Sequence, residues 1–214
     1  FWGSAAHLFW RDWDKGRVGL VGGGLYEDDI CSTQGGVEAE YYMDRFTLAA
    51  GGGVARLELK AGPYPFIDDD ATDFFATAGV RYYPLDDLML SGSYMHAFDN
   101  ELVLGELEYQ TPIDGLTLFA EVAAGENDYD HAMFGLRFYV GPAKSLKRRH
   151  REDQVHSATP AMLYATGVYG AEYNKRAKAY NEAQGTDYGT GSYAGLIVTM
   201  VRPDWVWDNL VYAE

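Results

Sequence analysis

Two stretches decide the fold: Leu116-Thr-Leu-Phe-Ala-Glu-Val-Ala-Ala-Gly125 and His131-Ala-Met-Phe-Gly-Leu-Arg-Phe-Tyr-Val140. Successive side chains of a β-strand point to opposite faces. In the first stretch Leu116, Leu118, Ala120, Val122 and Ala124 therefore share one face, and Thr117, Glu121 and Gly125 the other. The second sets Ala132, Phe134, Leu136, Phe138 and Val140 against Gly135 and Arg137. One face of each is apolar, and the other carries a charge in mid-strand.

The same period of two extends upstream. Val103, Gly105, Leu107 and Tyr109 oppose Glu106, Glu108 and Gln110, while Val37, Ala39, Tyr41 and Met43 oppose Glu38, Glu40 and Tyr42. Eight segments follow the pattern: 17–27, 36–43, 45–57, 72–83, 87–98, 101–110, 115–126 and 131–140. Between them stand strand-breaking residues such as Asp44-Arg45, Pro84-Leu85-Asp86, Asp99-Asn100 and Pro112-Ile113-Asp114-Gly115. The expected fold is all-β, an antiparallel up-and-down barrel of eight strands over 17–141. Ser4 to Trp10, inside a 1–16 lead-in, is a lead-in or an extra strand; as a strand it would require a tenth upstream of Phe1.

Composition agrees. The chain has 214 residues, enough for one main fold and an appendage. Its 25 Gly and 15% aromatic residues, 17 of them Tyr, favour short strands and turns over long helices. A formal charge of −15 argues against nucleic acid as a partner. Cys31 is the single cysteine, so no intrachain disulfide forms. No apolar run reaches the ~18–20 residues of a membrane-spanning helix, which leaves a β-barrel as the one way to cross a bilayer. The chain opens at Phe1 without Met, which fits a processed or truncated product.

Charges beside Gly and Ala on one face suit a narrow, closed, polar lumen. There Glu38, Glu40, Glu106, Glu108 and Glu121 are expected to pair with Arg56, Arg81 and Arg137; the alternative is that they face water on an open sheet. Long connections at 28–35 and 58–71 alternate with tight turns at 44 and 84–86, as outer loops and periplasmic turns do in bacterial barrels. After Gly141-Pro142 a tail over 142–214 begins, with a helix expected over 170–184, ended by Gly185, and a strand-like stretch at 191–201. Lys144, Lys147, Arg148, Arg149 and Arg151 open that tail and are expected at the level of periplasmic lipid headgroups.

The run Gly135-Leu-Arg-Phe-Tyr-Val-Gly141 with Lys144-Ser-Leu-Lys-Arg-Arg-His-Arg-Glu-Asp153 resembles uncharacterised outer-membrane β-barrel proteins of Gram-negative, chiefly alphaproteobacterial, envelopes. Leu8-Phe-Trp-Arg-Asp12 and Glu40-Tyr-Tyr-Met-Asp-Arg-Phe46 look similar to that group. The resemblance spans residues 5 to 153 and implies a fold and a location, without chemistry. Gly135, Phe138 and Val140 also look like the signal by which assembly machinery reads a last barrel strand, although Met133 and the residues after Val140 depart from it.

Catalytic signals are thin. His7, His96, His131, His150 and His156 show no His-x-x-x-His pair. Gly22-Gly-Gly24 and Gly51-Gly-Gly53 lack the Lys-Ser/Thr context of phosphate loops and read as relief of crowding in a strand wall. The acidic clusters Asp68-Asp-Asp70 with Asp73, and Glu126 to Asp130, lack calcium-loop spacing. The expectation is a non-catalytic, structural outer-membrane barrel without cofactor or metal. Its partners would be outer-membrane lipid and, through the tail, itself or another envelope protein. The alternatives are a self-assembling surface or filament subunit and a soluble barrel holding an apolar ligand, with an extracellular or periplasmic location.

Overall fold

The computed structural model describes residues 2–27, 30–59, 69–127, 129–153, 174–188 and 193–201. Nine strands follow one another up and down: β1 (Trp2–Asp12), β2 (Gly16–Glu27), β3 (Ile30–Met43), β4 (Phe46–Leu59), β5 (Asp69–Leu85), β6 (Leu88–Ala97), β7 (Asn100–Gln110), β8 (Leu116–Gly125) and β9 (Asp130–Tyr139). Each pairs antiparallel with the next. Helix α1 (Leu146–Glu152) follows, and a second helix, α2, covers 174–184. Strand β10 (Tyr193–Val201) then lies parallel to β9 on its remaining edge.

The all-β expectation holds, with differences in strand number and closure. The lead-in is strand β1, and the tenth strand comes from 193–201 instead of from upstream of Phe1. Among the described residues no ladder joins β1 to β9 or β10, so hydrogen bonds do not close the expected ring. The long connection expected at 28–35 is mostly strand, because Cys31-Ser-Thr-Gln-Gly-Gly36 pairs with Gly53 to Glu58 despite its turn-like composition. The other, at 58–71, shrinks to 60–68 and lies outside the described residues. The tail expected to begin at 142 is joined to the sheet twice, through α1 and through β10. Of the helix expected over 170–184, residues 170–173 lie outside the described residues, as do Trp205, Trp207 and Tyr212.

Local chemistry explains the turns. Phe98 and Asp99 both have positive φ, 52° and 56°, the type I′ geometry that matches strand twist. A Phe there is uncommon. Its carbonyl accepts from Asn100 Nδ2 at 2.6 Å, and Phe98 packs against the buried cluster that includes Phe75, Met95, Leu102 and Tyr129. At Tyr82/Leu85 the β5–β6 register shifts, and Pro84, which has no N–H to give a ladder, sits in that irregularity. Gly36 and Gly53 face each other across β3 and β4; a Cβ on either would meet the opposite backbone at 2.4 or 2.2 Å.

The sheet curls. Residues of every strand from β2 to β8 line one interior cavity, and the seven residues of α1 bond to the β3–β4, β5–β6 and β7–β8 turns together.

Candidate functional site

The two faces of the curled sheet sort as alternation requires, and the charged face is the inner one. Glu38, Glu40, Arg81, Glu108, Glu121 and Arg137 are buried, whereas Val37, Leu48, Val80, Leu107, Leu118 and Val122 are exposed, Val122 at 59%. Small residues make room for the charges. Glu40 pairs with Ala49 across β3 and β4, Glu38 with Gly51, and Ser91 of β6 stands between Arg81 and Glu106.

Three clusters result. In the first, Glu40 accepts from Arg81 Nη2 at 2.5 Å, from Arg17 Nη2 at 3.1 Å and from the Tyr42 hydroxyl at 3.0 Å. Beside it Glu38 lies 3.0 Å from His7 Nδ1 and 3.4 Å from Arg17 Nη1. In the second, Arg137 binds Glu108 directly and reaches Glu106 at 3.3 Å, with its guanidinium over the Phe119 ring. The Thr117 hydroxyl donates to Glu108 at 2.6 Å and that of Tyr139 at 3.1 Å. In the third, His131 links Glu121 and the Tyr129 hydroxyl, each at 2.9 Å. Charges taken out of water are tolerable where each meets an opposite charge and further hydrogen bonds, as here.

Arg56 departs from the expected network. It alternates outward with Val54 and pairs with Glu58 at 3.0 Å near the end of β4, its side chain 53% exposed. Charge type suggested the inner face, but the phase of β4 puts Ala55 and Leu57 there. Arg17, His7 and His131 were absent from the expected network. Arg17 was findable, since it stands at the start of its segment in the phase shared with Gly19. The two histidines carry no metal-ligand spacing and serve instead as hydrogen-bond partners of Glu38 and Glu121; among the described residues no three His, Cys, Asp or Glu converge as a metal site would need.

The basic run forms a cap. Leu146, Arg149 and His150 are fully buried where α1 covers the short-turn end of the sheet. Asp87 accepts from the Leu146 amide at 3.2 Å, supplying the cap that Ser145 does not. Arg149 donates to Asp114 at 2.6 Å and to Gln110 at 3.2 Å. Arg151 spans the carbonyls of Met43, Asp44 and Phe46, Lys147 meets Asp86 at 2.7 Å, and Lys144 meets Asp153 at 2.5 Å. Arg148, 61% exposed, bonds among the described residues to Glu152. Four of the five cations expected at lipid headgroups are thus occupied with turns, helix ends and the inner wall.

His150 joins cap to network. Its Nδ1 lies 3.0 Å from the Tyr83 hydroxyl, and its Nε2 lies 2.9 Å from that of Tyr139 and 3.3 Å from Glu108. Burial pulls the imidazole below its ordinary range, with Glu108 pushing the other way and Arg81 and Arg137 adding to the fall. Burial pushes the Glu152 carboxyl up, but hydrogen bonds from Arg148 and Lys144 outweigh it and hold the group low.

No family model, curated protein or solved structure matches this chain. The geometry therefore carries the functional reading alone. Chemically, the interior offers fixed charges, a cavity of about 130 Å³ and a helical cap over one end. Among the described residues no helix is long and apolar enough to cross a membrane, which leaves the strands untouched as a means of crossing.

Proposed function

We propose that the protein is a structural, non-catalytic β-barrel of a bacterial outer membrane, with its outer face in lipid and its α1 cap on the periplasmic side. One observation carries this reading: the burial is inverted, with ion pairs inside and large apolar side chains outside around the sheet. A water-soluble barrel holding an apolar ligand needs the opposite arrangement. Leu8, Leu20, Val37, Leu48, Leu107 and Leu118 make an outward apolar band. Trp10, Tyr41, Phe46, Tyr109 and Phe138, nearer the short turns on their strands, and Phe74 and Tyr94, nearer the other ends, are also outward, and aromatic residues of this kind are enriched at membrane interfaces.

Spin labels test the reading directly. In liposomes, labels at Leu107, Leu118, Val122 and Leu136 should respond to a lipid-soluble quencher, and labels at Glu106, Glu108, Glu121 and Arg137 should not. Equal responses, or a protein that stays soluble without detergent, would remove it.

The strand order favours a second reading. Among the described residues the outer edge of β1 carries no ladder, and an open edge is a template for another strand. Pairing there with a second copy would make the protein a self-assembling subunit. A sedimentation mass that rises with concentration would support it.

A further inference from the structure

The interior is not filled. A cavity of about 130 Å³ lies between the clusters of the inner face, with Val21, Phe75, Met95 and Leu104 among its apolar walls and Glu106 and Glu121 at one side. An engineered apolar cavity of about 150 Å³ holds benzene. We infer that this cavity is a binding site for a small organic cation, an ammonium or amidinium on an apolar body about the size of a benzene ring.

The unspent hydrogen-bonding capacity points to that charge. Glu106 and Glu121 stand directly opposite each other on β7 and β8. Each engages the protein through Oε1 alone, Glu106 with Arg137 and Glu121 with His131. Among the described residues the second oxygen of each has no partner, although the Glu121 side chain is 4% exposed. Like charges set opposite on adjacent strands repel, and a cation between the two free oxygens relieves that repulsion.

The donors that are left over do not open on the cavity. Arg17 and Arg81 border the cavity, but their guanidiniums are engaged by Glu38 and Glu40. The atoms of Arg17 that lack a hydrogen bond, Nε and Nη1, are buried out of a ligand's reach. The cavity is lined by four carboxylates, Glu38, Glu40, Glu106 and Glu121, and two guanidiniums, with Arg137 behind Glu106 as a third, so negative charge is in excess. A ligand that fits must bring N–H donors and positive charge, and pockets of this kind hold an apolar body while a few placed polar groups set its orientation.

The site belongs to the inner face, so it stands apart from whether the outer face meets lipid; quenching of outward labels and ligand binding fail independently. The test is saturation-transfer NMR of benzylammonium on the full chain folded in detergent micelles, with protein-free micelles as the blank. Benzyl alcohol has the same shape without the charge, and benzoate reverses it. Benzylammonium should bind saturably, benzyl alcohol at least about tenfold more weakly, and benzoate not at all. Glu121→Gln and, separately, Glu106→Gln should each weaken benzylammonium by about tenfold. Ala49→Leu, which narrows the cavity without removing a polar group, should abolish binding. Equal binding of the three probes, no saturable binding of benzylammonium, or full affinity in whichever of these variants folds would overturn the site.

Discussion

Arg137 binds Glu108 inside the sheet, where the Glu108 side chain is 0% exposed and the guanidinium also reaches Glu106. One cation therefore serves two carboxylates on the same face of β7. Removing the cation and removing either anion cannot be equivalent, because only the first leaves a buried charge uncompensated.

Arg137→Met should accordingly destabilise the protein by about 3–5 kcal/mol, the cost of orphaning a buried partner. Glu106→Gln should be close to neutral or stabilising, since Glu106 stands opposite Glu121 and like charges there repel. Urea unfolding in liposomes of a fixed composition measures both. Equal losses would mean that Arg137 does not hold the second cluster together.

Outward positions should obey depth if lipid surrounds the sheet. Leu118→Arg is expected to cost about 2–4 kcal/mol, as a charge at the bilayer midplane does, and little at a rim. Arg56, already outward near the end of β4 with Glu58, is a natural rim charge, so Arg56→Leu should change stability little. The comparison is again unfolding in liposomes, and a flat dependence on depth would argue for water outside.

Acid should loosen the cap. The His150 imidazole is held below its ordinary value, so the unfolded or undocked form binds the proton more readily. The stabilisation is complete above the ordinary histidine pKa of about 6.5 and is lost as pH falls below it toward the depressed value. Glu108 opposes this from β7, Arg81 and Arg137 reinforce it from β5 and β9, and the Tyr83 and Tyr139 hydroxyls hold the ring. Protection of the Arg149 and Asp153 amides, whose N–H groups close α1, should fall below that pH once the slowing of intrinsic exchange with acid is divided out. In His150→Phe that protection should lose its pH step.

Truncation should separate the cap from the rest of the tail. Ending the chain after Gly141 uncovers Tyr83, Met89 and Tyr139, which pack on Leu146, and removes Arg149 from Asp114. Burying a Leu alone contributes about 1.5–3 kcal/mol. Ending the chain after Asp153 keeps α1 and loses β10. The shorter chain should have the lower unfolding midpoint in urea; equal midpoints would show α1 to be an ornament on the sheet.

Much of this was legible in the residues themselves, because alternation is local. A strand needs only its neighbours in sequence to divide Leu107 from Glu106 and Leu118 from Glu121, and the turn residues at 44–45, 86–87 and 98–99 lie at or within two positions of where breakers pointed. What period two cannot state is which face turns inward, since both faces of a flat sheet are equivalent until it curls. Arg56 went astray because charge type suggested an inward partner, whereas its phase on β4 puts it outward with Val54. The cap was hidden for another reason. Lys147 and Arg149 read as free cations because Asp86, Gln110 and Asp114, which engage them, are 61, 39 and 35 positions away in the chain. β10 likewise had a strand's composition, but its parallel place beside β9 depends on a long connection that no local pattern records. Local periodicity determined the strands and their two chemistries; long-range closure of side chains onto one another decided the interior, its cavity and the helix that covers it.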